Sequence, residues 1–191
     1  MNHSRRLSQA ISEGDGISLL VPVDDPDEAR RAESNGAEGV VVERTVDGLR
    51  EATTLPVLYL GGDARSCADA DACLLWVKSA GDEAGLRDLH SEAEMLGLEA
   101  VIGVRDDEEL ELALEELDPE IVLLSPEDED DDPLEQVLDL LPDVPAGKLA
   151  IAEVQIRSSE DVAALERAGV DAVIVEPGVV SQLAGGAAPE V

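Results

Sequence analysis

Short apolar runs rich in Val, Ile and Leu alternate along the chain with longer polar segments. The runs are ISLLVPV (17–23), GVVVE (39–43), PVLYL (56–60), ACLLWV (72–77), AVIGV (100–104), EIVLLS (120–125), LAIAEV (149–154) and AVIVE (172–176). They are almost continuously apolar rather than alternating, which is typical of strands covered on both faces in a parallel sheet. The pattern therefore predicts eight buried parallel strands.

Segments with helical periodicity separate these runs. The clearest four span residues 25–36, 82–97, 106–118 and 158–169. The first opens on Asp25, has Pro26 in its first turn and ends on Gly36, which matches the start and stop preferences of helices. The other helical segments are shorter, so their boundaries are less well defined.

The alternation of eight strands with helices predicts a compact (β/α)8 TIM barrel. We expect residues 1–191 to form this single barrel domain, with residues 1–16 as a short lead segment. Such barrels usually have about 250 residues, so this one is small. An open, doubly wound sheet uses the same alternation with fewer units and is the structural alternative. In such a barrel, the active-site residues lie at the C-terminal ends of the strands and in the loops that follow them.

The chain is strongly acidic, with 45 Asp and Glu, 13 Lys and Arg, and a formal net charge of −32. This charge excludes sequence-independent binding to nucleic acid or to an anionic membrane, because both require basic residues to neutralise phosphates. The hydrophobic fraction of 44% excludes simple acidic disorder. An acidic surface that is poor in lysine is typical of halophilic proteins, whose self-repulsion is screened by salt. We expect a cytoplasmic location, because no signal peptide or membrane-length apolar run occurs.

The acidic loop and the two cysteines are the features of the sequence that could indicate metal or redox chemistry. The acidic loop SPEDEDDDP (125–133) lacks the glycine and the alternating spacing of a calcium loop, so we interpret residues 127–132 as a solvated segment. Cys67 and Cys73 have no Cys or His at a metal-site spacing, and we expect reduced structural thiols. The sequence predicts no metal site and no cofactor.

Three stretches of the chain carry a family resemblance. They are LPVLYLGGD (55–63), EAEMLGLEAVIGVRDDEELELALEELDPEIVLLSPED (92–128) and IAEVQIRSSEDVAALERAGVDAVIVEPGVV (151–180). They resemble, in order, the third strand, the fourth helix to sixth strand, and the last two units of the indole-3-glycerol-phosphate synthase family. The resemblance implies a ribulose-phosphate-binding barrel, here of haloarchaeal type. It also implies a lyase of tryptophan biosynthesis that closes an indole ring with loss of CO2 and water.

Most catalytic groups that this resemblance implies are missing. The ring closure needs a general acid, usually lysine, together with carboxylates that manage protons and the developing cation. The family positions for these groups and their neighbouring asparagines fall on Leu20, Pro22, Leu60, Gly103, Ser125 and Pro126. The lysine of the third strand corresponds to Leu60. The carboxylate of the seventh strand is kept as Glu153.

The phosphate site implied by the resemblance is also altered. Family glycines near the ends of the seventh and eighth strands fall on Gln155 and Glu176, and Pro177 follows. A carboxylate at this point repels a phosphate dianion, and proline removes a backbone donor. The sequence keeps the segments typical of the family fold but lacks most residues of the family site. This combination indicates a divergent paralogue.

Basic residues follow several of the predicted strands within a few positions. They are Arg44, Arg65, Lys78, Arg105 and Arg157. We expect them either to bind a small anionic ligand at a mouth less acidic than the remaining surface, or only to balance nearby carboxylates. Lys78 is also a candidate Schiff-base nucleophile. The candidate catalytic residues are therefore Glu153 and Lys78, and the candidate substrate-binding residues are Arg65, Arg105 and Arg157.

The sequence favours a synthase-like barrel that has lost the ring-closing, decarboxylating activity. One alternative is a lyase of altered mechanism that acts on a small anionic or phosphorylated substrate. Another is a non-catalytic binding or regulatory subunit. Trp76, in the fourth apolar run, is expected to serve in packing.

Overall fold

Eight parallel strands close into a barrel in a computed structural model of the chain. The structure describes residues 5–14, 16–61, 64–66, 69–78, 81, 83–126 and 132–184, with the main chain alone for 181–184. Each strand pairs with the next one along the chain, and the last strand pairs with the first. The predicted (β/α)8 barrel is therefore confirmed, and the open sheet is wrong.

The strands and helices alternate in the predicted order. The strands are β1 (Ser18–Pro22), β2 (Gly39–Val42), β3 (Val57–Tyr59), β4 (Ala72–Trp76), β5 (Glu99–Val104), β6 (Ile121–Leu124), β7 (Leu149–Ala152) and β8 (Ala172–Ile174). The helices are α1 (Arg6–Glu13), α2 (Pro26–Ser34), α3 (Leu49–Ala52), α4 (Glu83–Leu96), α5 (Asp107–Leu117), α6 (Pro133–Leu140), α7 (Ser159–Ala168) and α8 (Pro177–Ala184). Every predicted strand overlaps an observed one.

The apolar residues form two layers on opposite faces of the strands. Alternate residues fill the barrel interior, among them Leu20, Val41, Leu58, Leu74, Val101, Leu123, Ile151 and Ile174. Their neighbours along each strand pack outward under the helices. Both faces are thus covered, which explains why the strands are continuously apolar. The same alternation directs the next inward position of each strand toward the barrel mouth.

The N-terminal end of the barrel is closed by α1, a helix that sequence analysis did not predict. Leu7 and Ile11 of this helix are 0% and 3% exposed and pack into the barrel interior. The Glu99 carboxylate accepts hydrogen bonds from the amides of Leu7 and Ser8, at 2.7 and 3.1 Å. A carboxylate at a helix N-terminus satisfies unpaired donors and complements the helix dipole. Helix α1 is therefore a plug for the interior.

Several acidic residues at this end of the barrel are structural. Carboxylates that precede one strand accept hydrogen bonds from the first amides of the strand before it: Glu38 from Leu19 (3.1 Å), Asp71 from Val57 (2.9 Å) and Asp171 from Ala150 (2.8 Å). These contacts satisfy backbone donors where the sheet ladder begins. Part of the acidic composition therefore maintains the fold.

Three remaining sequence features have simple outcomes. Cys73 is buried and forms no disulfide bond with a described residue, whereas Cys67 lies outside the described residues. Residues 127–131 of the acidic loop also lie outside them. Within the described part of the chain, no helix has the length and apolar character needed to cross a membrane.

Candidate functional site at the barrel mouth

The C-terminal ends of the strands surround a cleft of about 300 Å³ at the barrel mouth. Its acidic lining consists of Asp24, Glu28, Glu43, Glu153 and Glu176. Its remaining lining is Pro22, Val23, Val41, Leu60, Ile174 and Pro177. No described basic residue lines this cleft, so the expectation that the mouth is less acidic than the surrounding surface is wrong here. We call this cleft the acidic sector.

Three of the candidate cations lie in ion pairs away from the acidic sector or at its rim. Arg65 pairs with Glu92 of α4, Arg157 lies 3.8 Å from Asp132, and Arg44 lies 3.0 Å from Asp24. The side chains of Arg65 and Arg157 are 77% and 64% exposed. Because acidic residues far outnumber basic ones in this chain, each of these arginines has a carboxylate of a neighbouring helix or loop within reach. The structure therefore does not bring Arg65, Arg105 and Arg157 together.

Lys78 and Arg105 lie on the opposite side of the mouth, where β4 and β5 end. The Arg105 guanidinium lies 4.4 Å from the centroid of the Trp76 ring, a cation–π arrangement. Burial raises the pKa of the nearby Glu109 carboxyl, while the Arg105 amide at 3.0 Å and the charges of Arg105 and Lys78 oppose that rise. Trp76, Lys78, Arg105 and Glu109 thus form one group, which we call the aromatic sector.

The two candidate catalytic residues do not share a cleft. Glu153 follows β7, is half-buried and lines both the acidic sector and a neighbouring cleft of about 340 Å³ with Gln155. Lys78 is exposed and is not among the residues that line either cleft. Glu153 is accordingly grouped with other carboxylates rather than with a proton-donating lysine.

Helices that begin at the mouth are capped by carboxylates of the chain itself. In α2, α5 and α7, an acid in the first turn accepts a hydrogen bond from an amide just before the helix: Glu28 from Asp24 (2.8 Å), Glu109 from Arg105 (3.0 Å) and Asp161 from Arg157 (2.8 Å). The last of these bonds is the main reason that the pKa of Asp161 is lowered. Amides that could otherwise hold an anion are therefore already used.

Sequence reasoning missed part of this site. Asp24, Glu28 and Glu43 line the acidic sector but were not singled out. Glu43 was detectable, because it lies two residues after the inward-facing Val41 and so continues the alternation. Glu28 could not be predicted from strand alternation, because its position depends on the helix that follows β1. Among the described residues, no group of three or more His, Cys, Asp or Glu is arranged to hold a metal ion.

Comparison with known proteins identifies relatives of this chain. Residues 63–183 match the family model for indole-3-glycerol phosphate synthase. The indole-3-glycerol phosphate synthase of Acidithiobacillus ferrooxidans is 37% identical over 138 residues, covering 66% of this chain and 51% of that protein. That of Variovorax paradoxus is 37% identical over 107 residues, covering 56% and 40%. The chain thus spans about half the length of the curated relatives it matches.

Solved structures with low sequence identity share the fold. The N-acetylmannosamine-6-phosphate 2-epimerase of Clostridium perfringens superposes with a TM-score of 0.66 at 17% identity, covering 83% of this chain and 86% of that chain. A mandelate oxidase mutant superposes with a TM-score of 0.64 at 15% identity, covering 87% and 66%. At these identities the likeness concerns the barrel alone. The family match covers more than half of the sequence, and the chain belongs to the indole-3-glycerol phosphate synthase family.

Proposed function

We propose that this chain is a divergent paralogue in its family and has lost the ring-closing, decarboxylating activity. The proposal rests on the presence of Leu60 where a proton donor is needed. The family resemblance implies a general-acid lysine at this position, and Leu60 lines the acidic sector directly after β3. An isobutyl group donates no proton, so the reacting carbonyl has no acid there.

The charge of the acidic sector supports the same proposal. Glu176 lines the cleft together with Glu43 and Glu153, at the place where the resemblance implies a phosphate site. Like charges at short range disfavour binding of a dianion. Removing one transition-state contact commonly costs about 10²- to 10³-fold in rate, and here several are replaced together.

An assay for the fluorescent indole product tests this proposal. Purified chain in high salt, incubated with the phosphorylated anthranilate precursor, is expected to form no product above a blank without protein. Glu153→Gln is the matched control, because it removes the one retained family carboxylate and keeps the shape of the side chain. Turnover by the wild-type chain that disappears in Glu153→Gln would overturn the proposal.

A second candidate function is a lyase of altered mechanism that acts on a small anionic carbonyl substrate. One observation favours it: Lys78 and Arg105 lie close enough to the same carboxylate, Glu109, to affect its pKa. Lysine amines form imines with carbonyl substrates, and a neighbouring arginine can bind the anionic group of such a substrate. In such a step the Lys78 amine attacks the carbonyl carbon, and water leaves as the imine forms.

Borohydride trapping tests this second function with pyruvate as the probe. Borohydride reduces an imine to a stable secondary amine, which mass spectrometry locates on a peptide. Labelling of Lys78 that disappears in Lys78→Arg but persists in Lys148→Arg supports the altered lyase. Equal labelling of Lys78 and Lys148, or labelling of neither, contradicts it.

A further inference from the structure

Trp76 is the only tryptophan in the chain, and it lies at the mouth. It ends β4, packs against the barrel interior and is half-buried. In the strand register it pairs with Gly103 of β5. The largest side chain of the barrel is therefore placed where barrel enzymes usually present ligand-contacting groups.

The Trp76 ring rests on Gly103. A Cβ atom added at Gly103 would come within 2.6 Å of Trp76 Cε3 and 3.0 Å of Leu74 Cδ1. Contacts below about 3 Å between carbon atoms are repulsive, so any larger residue at position 103 requires the ring to move. The indole ring can therefore keep its position only while residue 103 is glycine.

Arg105 covers the ring from the side of the loop after β5. Its guanidinium lies 4.4 Å from the ring centroid, within the range of a favourable cation–π contact. Interior side chains, the Gly103 main chain and a cation therefore all contact the half-buried ring. This is the environment of a bound planar ligand, with the ligand supplied by the chain itself.

We infer that the aromatic sector contains a binding site for a planar aromatic group, and that the Trp76 ring occupies and blocks this site. The site consists of the Gly103 main chain as its base and the Arg105 guanidinium as its cover. While Trp76 is in place, its ring blocks this site to an external planar ligand. This inference concerns binding and does not rest on the loss of ring closure proposed above.

The first test removes the ring and offers it back as free indole. In the full-length Trp76→Ala variant, calorimetry in high salt is expected to give a Kd on the order of 1 mM or tighter, whereas the wild-type chain shows no saturable binding. Adding Arg105→Gln to Trp76→Ala is expected to weaken binding about two- to fivefold, since the cation–π contact is lost.

Tyr59→Ala is the matched control for a nonspecific cavity. Tyr59 is 6% exposed and packs in the outer layer under the helices, so its removal also deletes a buried ring. No indole binding to Tyr59→Ala, with binding to Trp76→Ala, supports the inference. Equal binding to both variants, or no binding to a folded Trp76→Ala, overturns it.

Gly103→Ala provides a test that does not depend on the folding of Trp76→Ala. The added methyl group is expected to displace the ring, so the tryptophan emission moves to longer wavelength and acrylamide quenching increases. Because Trp76 is the only tryptophan, the whole signal reports on this site. Unchanged emission and unchanged quenching in a folded Gly103→Ala variant overturn the inference.

Discussion

Asp71 Oδ2 lies 2.6 Å from Nη2 of Arg50 at the N-terminal end of the barrel, and the Asp71 side chain is 7% exposed. The same carboxylate accepts hydrogen bonds from the Val57 amide and from Arg6 of the α1 plug. One buried acid thus joins strand β3, helix α3 and the plug. Removing its charge leaves Arg6 and Arg50 without their shared carboxylate partner.

Asp71→Asn is therefore expected to lower the free energy of unfolding by about 3 kcal/mol, since breaking a buried pair strands its partner charges. Urea titration in high salt measures this loss. Asp118→Asn is the control, because the Asp118 side chain is 86% exposed and pairs with Lys148 at the surface. Its expected cost is below about 1 kcal/mol. Similar losses in both variants would show that Asp71 is no special junction.

Leu7→Ala tests the plug itself. Leu7 is completely buried in the barrel interior, and truncation of a buried leucine typically costs about 3 kcal/mol through lost transfer energy and the cavity left behind. Met95→Ala, at an 80% exposed position of α4, is the control with an expected cost below about 0.5 kcal/mol. Thermal unfolding of both variants measures the difference. An unaffected Leu7→Ala would mean that α1 contributes little to closing the barrel.

Much of the fold was predictable because each strand is marked by its own composition. Continuous runs such as GVVV of β2 and IVLL of β6 specify burial on both faces without any knowledge of their neighbours. The plug was not predictable in this way. It is only eight residues long and mostly polar, and its two buried apolar residues can be recognised as core only once the barrel opening beside them is known.

The site was predicted less well than the fold, because ion pairing is decided in three dimensions. Arg65 and Arg105 each follow a strand at the mouth, yet Arg65 pairs with Glu92 on α4 while Arg105 lies against the ring of Trp76. Spacing along the chain does not distinguish these outcomes. Glu153 is different, because its inward direction follows from the alternation of β7 alone.

Two capping acids are expected to give opposite pH dependences. The hydrogen bond from the Arg157 amide lowers the pKa of Asp161, so its stabilising contribution is present above the unfolded pKa and disappears as the pH falls through the folded value. Burial raises the pKa of Glu109, so its charged form opposes folding near neutral pH, and this penalty fades on acidification.

Asp161→Asn should therefore destabilise the protein at about pH 7 and have little effect at about pH 3. Glu109→Gln should be less harmful at about pH 7 than at about pH 3, where the wild-type carboxyl is already neutral. Urea titrations across this range measure both effects. Parallel pH profiles for the two variants would contradict the assignment of opposite shifts.

Salt dependence should follow from the net charge of −32. Raising KCl from about 0.1 to 3 M is expected to increase the Tm, because the Debye length falls from about 10 Å to a few ångströms and carboxylate repulsion is screened. Repeating the series at about pH 4.5, where carboxylates are partly protonated, should give a smaller increase. A Tm that is independent of salt would contradict the halophilic interpretation.

The acidic sector is expected to repel phosphomonoesters through Glu176. This carboxylate is exposed at the cleft and shares it with Glu43 and Glu153, so a dianion placed there faces several like charges. Glu176→Gln removes one of them and should raise the affinity for glycerol phosphate about tenfold, a change of about 1.4 kcal/mol. Calorimetry at moderate salt gives the measurement. Glu120→Gln is the control, since Glu120 is an exposed acid that pairs with Arg5 at the other end of the barrel. Equal gains in both variants would assign the repulsion to net charge rather than to the cleft, and Glu176 would lose its role as the residue that keeps phosphate out of the mouth.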